Sequence, residues 1–222
     1  MIPLGDVSRR PVRIPVVTIS IIALNAIVFW MELMNGEPFI RHWAMVPADI
    51  AAGQRWSTIF TAMFLHGGWE HIIGNMVFLW AFGPEIEDVM GRVRYLVFYL
   101  LGGVVATAAQ VVASPSSTVP NLGASGAIAA VMGAFLITFP RDKIRAIVFL
   151  GWYVTTTVIP ATLLVGVWFI VQLFSEVGAV ASVQSGGVAY LAHIGGFIMG
   201  MATARLFEVR ERVEAARQPS AW

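Results

Sequence analysis

The stretch Asn121-Leu122-Gly123-Ala124-Ser125-Gly126-Ala127-Ile128-Ala129-Ala130 puts a serine between glycines, where an uncharged loop gives way to an apolar helix. Gly123 and Gly126 leave the backbone beside Ser125 uncovered, so a carbonyl group can approach closely. The helix that follows points its free N–H groups back at the serine, and such donors suit a developing oxyanion. A serine so placed needs a base. One apolar-embedded imidazole lies downstream, His193, in Ala192-His193-Ile194-Gly195-Gly196. Taken one at a time, Ser125 also reads as a helix N-cap and His193 as a packing histidine bonded across helices.

Working outward, composition sets the solvent. Of 222 residues, 58% are hydrophobic and 12% charged, with a mean hydropathy of +0.77. Soluble domains carry about 25% charge, so the composition predicts an integral membrane protein with no aqueous domain of any size. A net charge of +1 does not suggest a nucleic-acid partner. Cysteine is absent, which excludes disulfides, thiolate metal sites and a cysteine nucleophile. No small-residue cleavage site follows the first ten residues, so the first apolar span is expected to be retained.

Apolar runs then predict an all-α bundle of six transmembrane helices. Segment 1–14 is polar and basic, with Arg9, Arg10 and Arg13. Helix one runs from Pro15 to Met31, with Glu32 near its end; about 20 residues span a bilayer core. Residues 35–70 form a mixed connection, and its uncharged half, Trp56 to Trp69, is expected to lie in or dip into the interface. Helix two, Glu70 to Phe82, carries His71 and Asn75 four apart on one face. A charged loop with Glu85, Glu87, Asp88, Arg92 and Arg94 leads to helix three, Tyr95 to Ala113. Helix four runs from Ser125 to Phe139. Between Arg145 and Glu176 lie 30 uncharged residues, too many for one span and too few for two. Division at Pro160 places helix five at about 160–176 and leaves 146–159, with Trp152 and Tyr153, either at the interface or as part of helix five. Helix six runs from Gly187 to Ala204. The expected organisation is an N-terminal segment (1–14), a membrane domain (15–207) and a charged, solvated tail (208–222).

Six spans put 12 of the 14 Lys and Arg residues on one side, leaving only Arg41 and Arg55 on the other. The positive-inside rule then makes both termini cytoplasmic. Helices two, four and six each enter from outside. His71, Asn75 and Ser125 sit in the first turns, and His193 lies about six residues in, roughly 9 Å. All four therefore share the outer third of the membrane, where polar groups face a bundle interior or a water-filled cavity. Gly126, Ala130 and Ala134 on helix four, and Ala192, Gly196 and Gly200 on helix six, repeat every four residues. Small-xxx-small faces of this kind bring backbones close enough for a serine–histidine contact.

The chain resembles the rhomboid family of intramembrane serine proteases. The resemblance rests on His66-Gly67-Gly68-Trp69-Glu70-His71-Ile72-Ile73-Gly74-Asn75, Glu85-Ile86-Glu87-Asp88-Val89-Met90-Gly91-Arg92, Gly123-Ala124-Ser125-Gly126 and Ala192-His193-Ile194-Gly195-Gly196. Trp168-Phe169-Ile170-Val171-Gln172 is a shorter echo. The resemblance implies a six-helix fold with a membrane-associated first loop, Ser125 as nucleophile and His193 as general base and then acid. It implies an oxyanion hole of His71, Asn75 and the Ser125 backbone N–H. It also implies a structural His66, with Gly123, Gly126 and Gly196 near the site. The substrates would be transmembrane proteins, and the expected location is a prokaryotic cytoplasmic membrane, with a eukaryotic organelle the open alternative and the site facing outward in contact with lipid. Where some members place an aromatic residue one turn after the nucleophile, this chain has Ala129, so other packing must orient the base. No metal or organic cofactor is expected for this chemistry. Two other readings stay open: a catalytically silent binder of transmembrane helices, and a transporter or metal site using His66, His71 and His193. Against the last stand the absence of H-E-x-x-H and of a mid-span acidic residue.

Overall fold

The computed structural model describes residues 1–170 and 190–217. The apolar run after Pro15 forms α1 (Val16–Trp43), which leaves helical geometry at Gly36 (φ 66°), two residues before Pro38. Thr18, Ile21, Asn25, Phe29 and Glu32 form its buried stripe, at three- and four-residue steps. The first loop is built from two short helices, α2 (Pro47–Ala51) and α3 (Thr58–Thr61), and a 3₁₀ turn at Ala62–Phe64. Then follow α4 (Trp69–Met90), α5 (Arg92–Ala113) and α6 (Ser125–Thr138). After α6 come α7 (Ala161–Ile170), α8 (Tyr190–Phe207) and α9 (Arg210–Arg217). The later part of expected helix five, with Gln172, and the expected start of helix six at Gly187 lie outside the described residues.

Central to the architecture is α6. Every residue from Gly126 to Phe135 is buried, in a core shared with Leu79, Phe82, Phe98, Tyr99 and Phe197. By length and composition, α1 and α5 can each cross a membrane, while α6, α7 and α8 are shorter apolar helices.

Three expectations need correction. The first concerns the charged loop after helix two. Helix α4 continues to Met90, with Glu85, Glu87 and Asp88 buried within it. These carboxylates serve the N-terminus of another helix. No side chain of its own caps α1, and Glu87 supplies the missing acceptors. Its Oε1 accepts from Val17 N at 2.9 Å, and its Oε2 accepts from Thr18 N and Thr18 Oγ1, both at 2.8 Å. Asp88 accepts from Val12 N at 3.0 Å and from Arg13 Nη1 at 3.2 Å. A carboxylate on a helix N-terminus satisfies orphan donors and meets the positive end of the dipole. Glu87→Ala leaves two of these donors unpaired. It is expected to cost about 2–4 kcal/mol, read as a lowered Tm in detergent, with Glu87→Gln intermediate.

The second correction is that the fold is mostly helical but not all-α. Residues 146–159 are not part of helix five. They belong to a hairpin of β2 (Lys143–Leu150) and β3 (Tyr153–Pro160), in register from Lys143 opposite Pro160 to Leu150 opposite Tyr153. The N-terminal segment adds β1 (Ile2–Asp6) antiparallel to β2, giving the order β1-β2-β3. The β-branched run Val154-Thr155-Thr156-Thr157-Val158-Ile159 favours an extended backbone, a signal that hydropathy alone passes over. Arg9 locks this sheet to its neighbours. Its guanidinium pairs with Asp142, with Nη2 to Oδ1 at 2.7 Å, bonds the Ala216 carbonyl, and stacks 3.9 Å over Phe139.

Third, the tail is not simply solvated. Val213 is buried, and Val209 N donates to Val89 O at 2.9 Å. Strand β1, the α4–α5 turn, the α6–β2 turn and α9 thus gather at one end of the helices. Ser125 starts α6 at the other.

Candidate active site

Ser125 is the first residue of α6. The N-cap position is taken by Ala124, in helical geometry, and no side chain caps this end. The Ser125 hydroxyl therefore does not act as the cap that its sequence permitted. It meets His193 instead: Nε2 of His193 lies 2.6 Å from Ser125 Oγ. Helix geometry explains how a short serine reaches across. A side chain at Gly196 would overlap the Gly126 carbonyl, one at Gly200 the Ala130 carbonyl, and one at Gly133 the Phe197 carbonyl. Helices α6 and α8 thus touch backbone to backbone along the two small-residue faces, and the serine and histidine sit at the top of that seam.

The indole of Trp168, on α7, lies against the His193 ring, with centroids 5.8 Å apart and planes tilted 46°. Ala129, one turn after Ser125, is itself fully buried, so the aromatic neighbour of His193 comes from α7 rather than α6. Among the described residues, no group of three His, Cys, Asp or Glu side chains is arranged to hold a metal ion.

Loop one and the 114–124 loop are pinned together. Met45 and Asn121 exchange backbone hydrogen bonds at 3.0 and 2.6 Å, and Gly123 N donates to Ala62 O at 2.8 Å. Gly123 has φ +127°, a region closed to most side chains. Its missing Cβ makes room for His71, whose Nε2 would lie 2.8 Å from such an atom; Ser125 Oγ would lie 3.7 Å from it. Gly67 N donates to His71 Nδ1 at 3.2 Å. In the neutral ring this leaves the proton on Nε2, the nitrogen beside Gly123 and Ser125. Asn75, one turn on, is buried, and its Nδ2 has no acceptor among the described residues. The first N–H groups of α6, that of Ser125 included, have no intrahelical acceptor and no side-chain cap. Ser125 also borders a cavity of about 40 Å³ shared with Gln110, room enough for a water molecule.

His66 is 1% exposed, and its backbone N–H donates to both Glu32 oxygens, at 3.0 and 3.2 Å. Its ring stands edge-on to His71, with centroids 5.1 Å apart. Burial, and secondarily the neighbouring His71, lower its imidazole from the ordinary 6.5 to about 4. It therefore stays neutral through the physiological range and supports the loop. Two contributors escaped the sequence reading, Glu32 and the Ala62 carbonyl, while Trp168 enters it only as part of a motif, with no role given to it. Glu32 did leave a signal, as a carboxylate at the end of an apolar run. The backbone carbonyl left none.

A family model of the Rhomboid domain matches residues 53–209. The chain is 30% identical over 195 residues to Rhomboid protease GluP of Bacillus subtilis (strain 168), covering 86% of this chain and 34% of that protein. It is 31% identical over 141 residues to the mitochondrial Presenilin-associated rhomboid-like protein of Bos taurus, covering 62% and 36%. It is also 31% identical over 129 residues to Presenilin-associated rhomboid-like protein A, mitochondrial, of Danio rerio, covering 56% and 33%. The chain spans about a third of the length of these relatives. With the Rhomboid domain matched over most of its length, the chain belongs to the rhomboid family.

Proposed function

We propose that the chain is an intramembrane serine endopeptidase that cuts transmembrane protein substrates near the outer membrane face. The observation that carries this reading is the 2.6 Å contact between His193 Nε2 and Ser125 Oγ. The similarity to a protein named as a rhomboid protease, over most of this chain, supports it.

As Ser125 Oγ attacks the substrate carbonyl carbon, His193 Nε2 takes its proton. The carbonyl oxygen becomes an oxyanion facing the Ser125 N–H, His71 Nε2 and Asn75 Nδ2. Collapse breaks the C–N bond. The leaving amine takes the proton from His193, and an acyl-enzyme remains. A water then attacks the ester, giving its proton to His193, and Ser125 is released when that proton returns to Oγ. A helical peptide bond is shielded by its own hydrogen bonding, so the substrate must unwind locally before attack. Small or helix-breaking residues near the cut favour this.

The chain is read as one membrane domain over 15–207, with α1, α4, α5, α6, α7 and α8 marking the six spans. The basic end, with β1, the α4–α5 turn and α9, is read as cytoplasmic, and the Ser125 end as outward-facing.

The test is cleavage of a generic single-span substrate by detergent-purified wild-type protein, with the cut mapped by mass spectrometry. A cut in the outer third of the substrate span, with fluorophosphonate labelling confined to Ser125, is the expected result. Turnover that persists in Ser125→Ala would overturn the reading. Substrate binding without turnover in wild type would favour the silent-binder alternative.

A further inference from the structure

The far end of the bundle carries a polar feature that the proposed chemistry does not use. From His71 to Gly91, α4 advances about 30 Å at ~1.5 Å per residue, which separates this end from Ser125. There the α4–α5 turn, the segment before α1 and the region entering α9 enclose a cavity of about 500 Å³. Arg13, Arg92, Arg94 and Arg212 line it, with Gly91 and Val93, and no carboxylate is among its lining residues. Arg13 is paired, with Asp88. Arg92 and Arg212 also border, with Glu87 and Asp88, a smaller adjoining cavity, but Arg92, Arg94 and Arg212 form no direct ion pair among the described residues. Arg94 Nη1 and Arg212 Nη1 donate to the backbone carbonyls of Glu208 and Asp88, at 3.2 and 3.3 Å. Arg92 is exposed and makes no ion pair among the described residues. Three guanidinium groups without a direct ion pair around one cavity favour an anion there. The start of α5, which no side chain caps, adds backbone donors at the same place.

The surface beside the cavity specifies what kind of anion. Val93, Val97, Leu101 and Val105 recur every four residues along α5 and are exposed by 77, 44, 42 and 38%. They form one apolar strip that starts in the cavity wall and climbs a helix long and apolar enough to cross a membrane. A soluble phosphate would use the cavity and leave the strip bare. A molecule with a phosphate head and hydrocarbon chains fits both.

We propose that this cavity binds the phosphate of an anionic phospholipid whose acyl chains lie along the Val93–Val105 strip. The inference rests on α5 being a membrane span and is independent of the Ser125–His193 chemistry. A zwitterionic lipid carries its own cation and gains little from the arginines, so the site discriminates by net headgroup charge.

The experiment uses the whole 222-residue chain carrying Ser125→Ala, so that its outcome does not depend on cleavage. In neutral detergent it is titrated with phosphatidylglycerol, phosphatidylcholine or inorganic phosphate. Retention is read by native mass spectrometry and stabilisation by the rise in Tm. Phosphatidylglycerol is expected to bind at least about tenfold more tightly than phosphatidylcholine. Arg92→Gln with Arg94→Gln is expected to remove that preference, Arg92→Lys with Arg94→Lys to keep most of it, and Arg210→Gln, outside the cavity, to leave it unchanged. Should the double glutamine variant not fold, exposed Arg92→Gln alone carries the test, with a smaller loss. Equal binding of the two lipids, or undiminished phosphatidylglycerol binding by the glutamine variants, overturns the proposal. Inorganic phosphate that binds as tightly as phosphatidylglycerol overturns the lipid assignment in favour of a soluble phosphate.

Discussion

His193→Ala is expected to lower kcat/KM for a transmembrane substrate by at least about 10³-fold, with little change in Tm. The two effects separate because the residue does two different things. Its Nε2 lies 2.6 Å from Ser125 Oγ, and without it the hydroxyl has no acceptor for its proton in the attack. Its ring lies against Trp168, and the α6–α8 seam below it runs through glycines that the substitution does not touch. Ser125→Ala is expected to fall as far. The double variant should be no worse than either single one, since groups acting as a unit are not additive. Initial rates on a single-span substrate, together with thermal unfolding of each variant, check this. A His193→Ala protein with more than a tenth of wild-type activity would remove the histidine from the proposed mechanism.

Gly196→Val is expected to prevent accumulation of folded protein, or to destabilise it by about 3 kcal/mol or more. The reason is what a side chain meets there. A Cβ at Gly196 would overlap the Gly126 carbonyl, with Ala106 Cβ only 3.5 Å away. The clashing atom is backbone of a helix whose face from Gly126 to Phe135 is entirely buried, so no rotamer change relieves it. The helices must separate, and Gly126 adjoins Ser125, so the 2.6 Å contact is lost with the packing. Stability and activity should therefore fall together, unlike in His193→Ala. Gly166→Ala is the matched control. Nothing lies within 4 Å of a Cβ at that position, and alanine is the better helix former, so Tm should hold or rise slightly. Yields and thermal unfolding in detergent decide the matter; a Gly196→Val protein as stable as wild type would show that the seam is not held at this point.

What could be read directly from the sequence follows from the cost of polar groups in an apolar chain. With 12% charged residues, Ser125, His71, Asn75 and His193 stood out, and their positions near the starts of alternate apolar runs led to the expectation of one depth. The structure brings Ser125 to His193, as the small-residue faces suggested, and sets His71 beside Gly123, which the sequence did not foretell. Tertiary structure alone decided the rest. Glu87 looked like a loop residue because a charge ends an apolar run, yet it caps a helix 69–70 positions earlier in the chain. Segment 2–6 looked like a polar leader, yet it is a strand that pairs with residues 144–147. Trp168, the aromatic neighbour of His193, comes from α7 rather than from the turn of α6 that holds Ala129. In each case the sequence registers what a residue loses on leaving water, while the partner that offsets the loss lies far along the chain. Only the folded backbone brings that partner within hydrogen-bonding or packing distance.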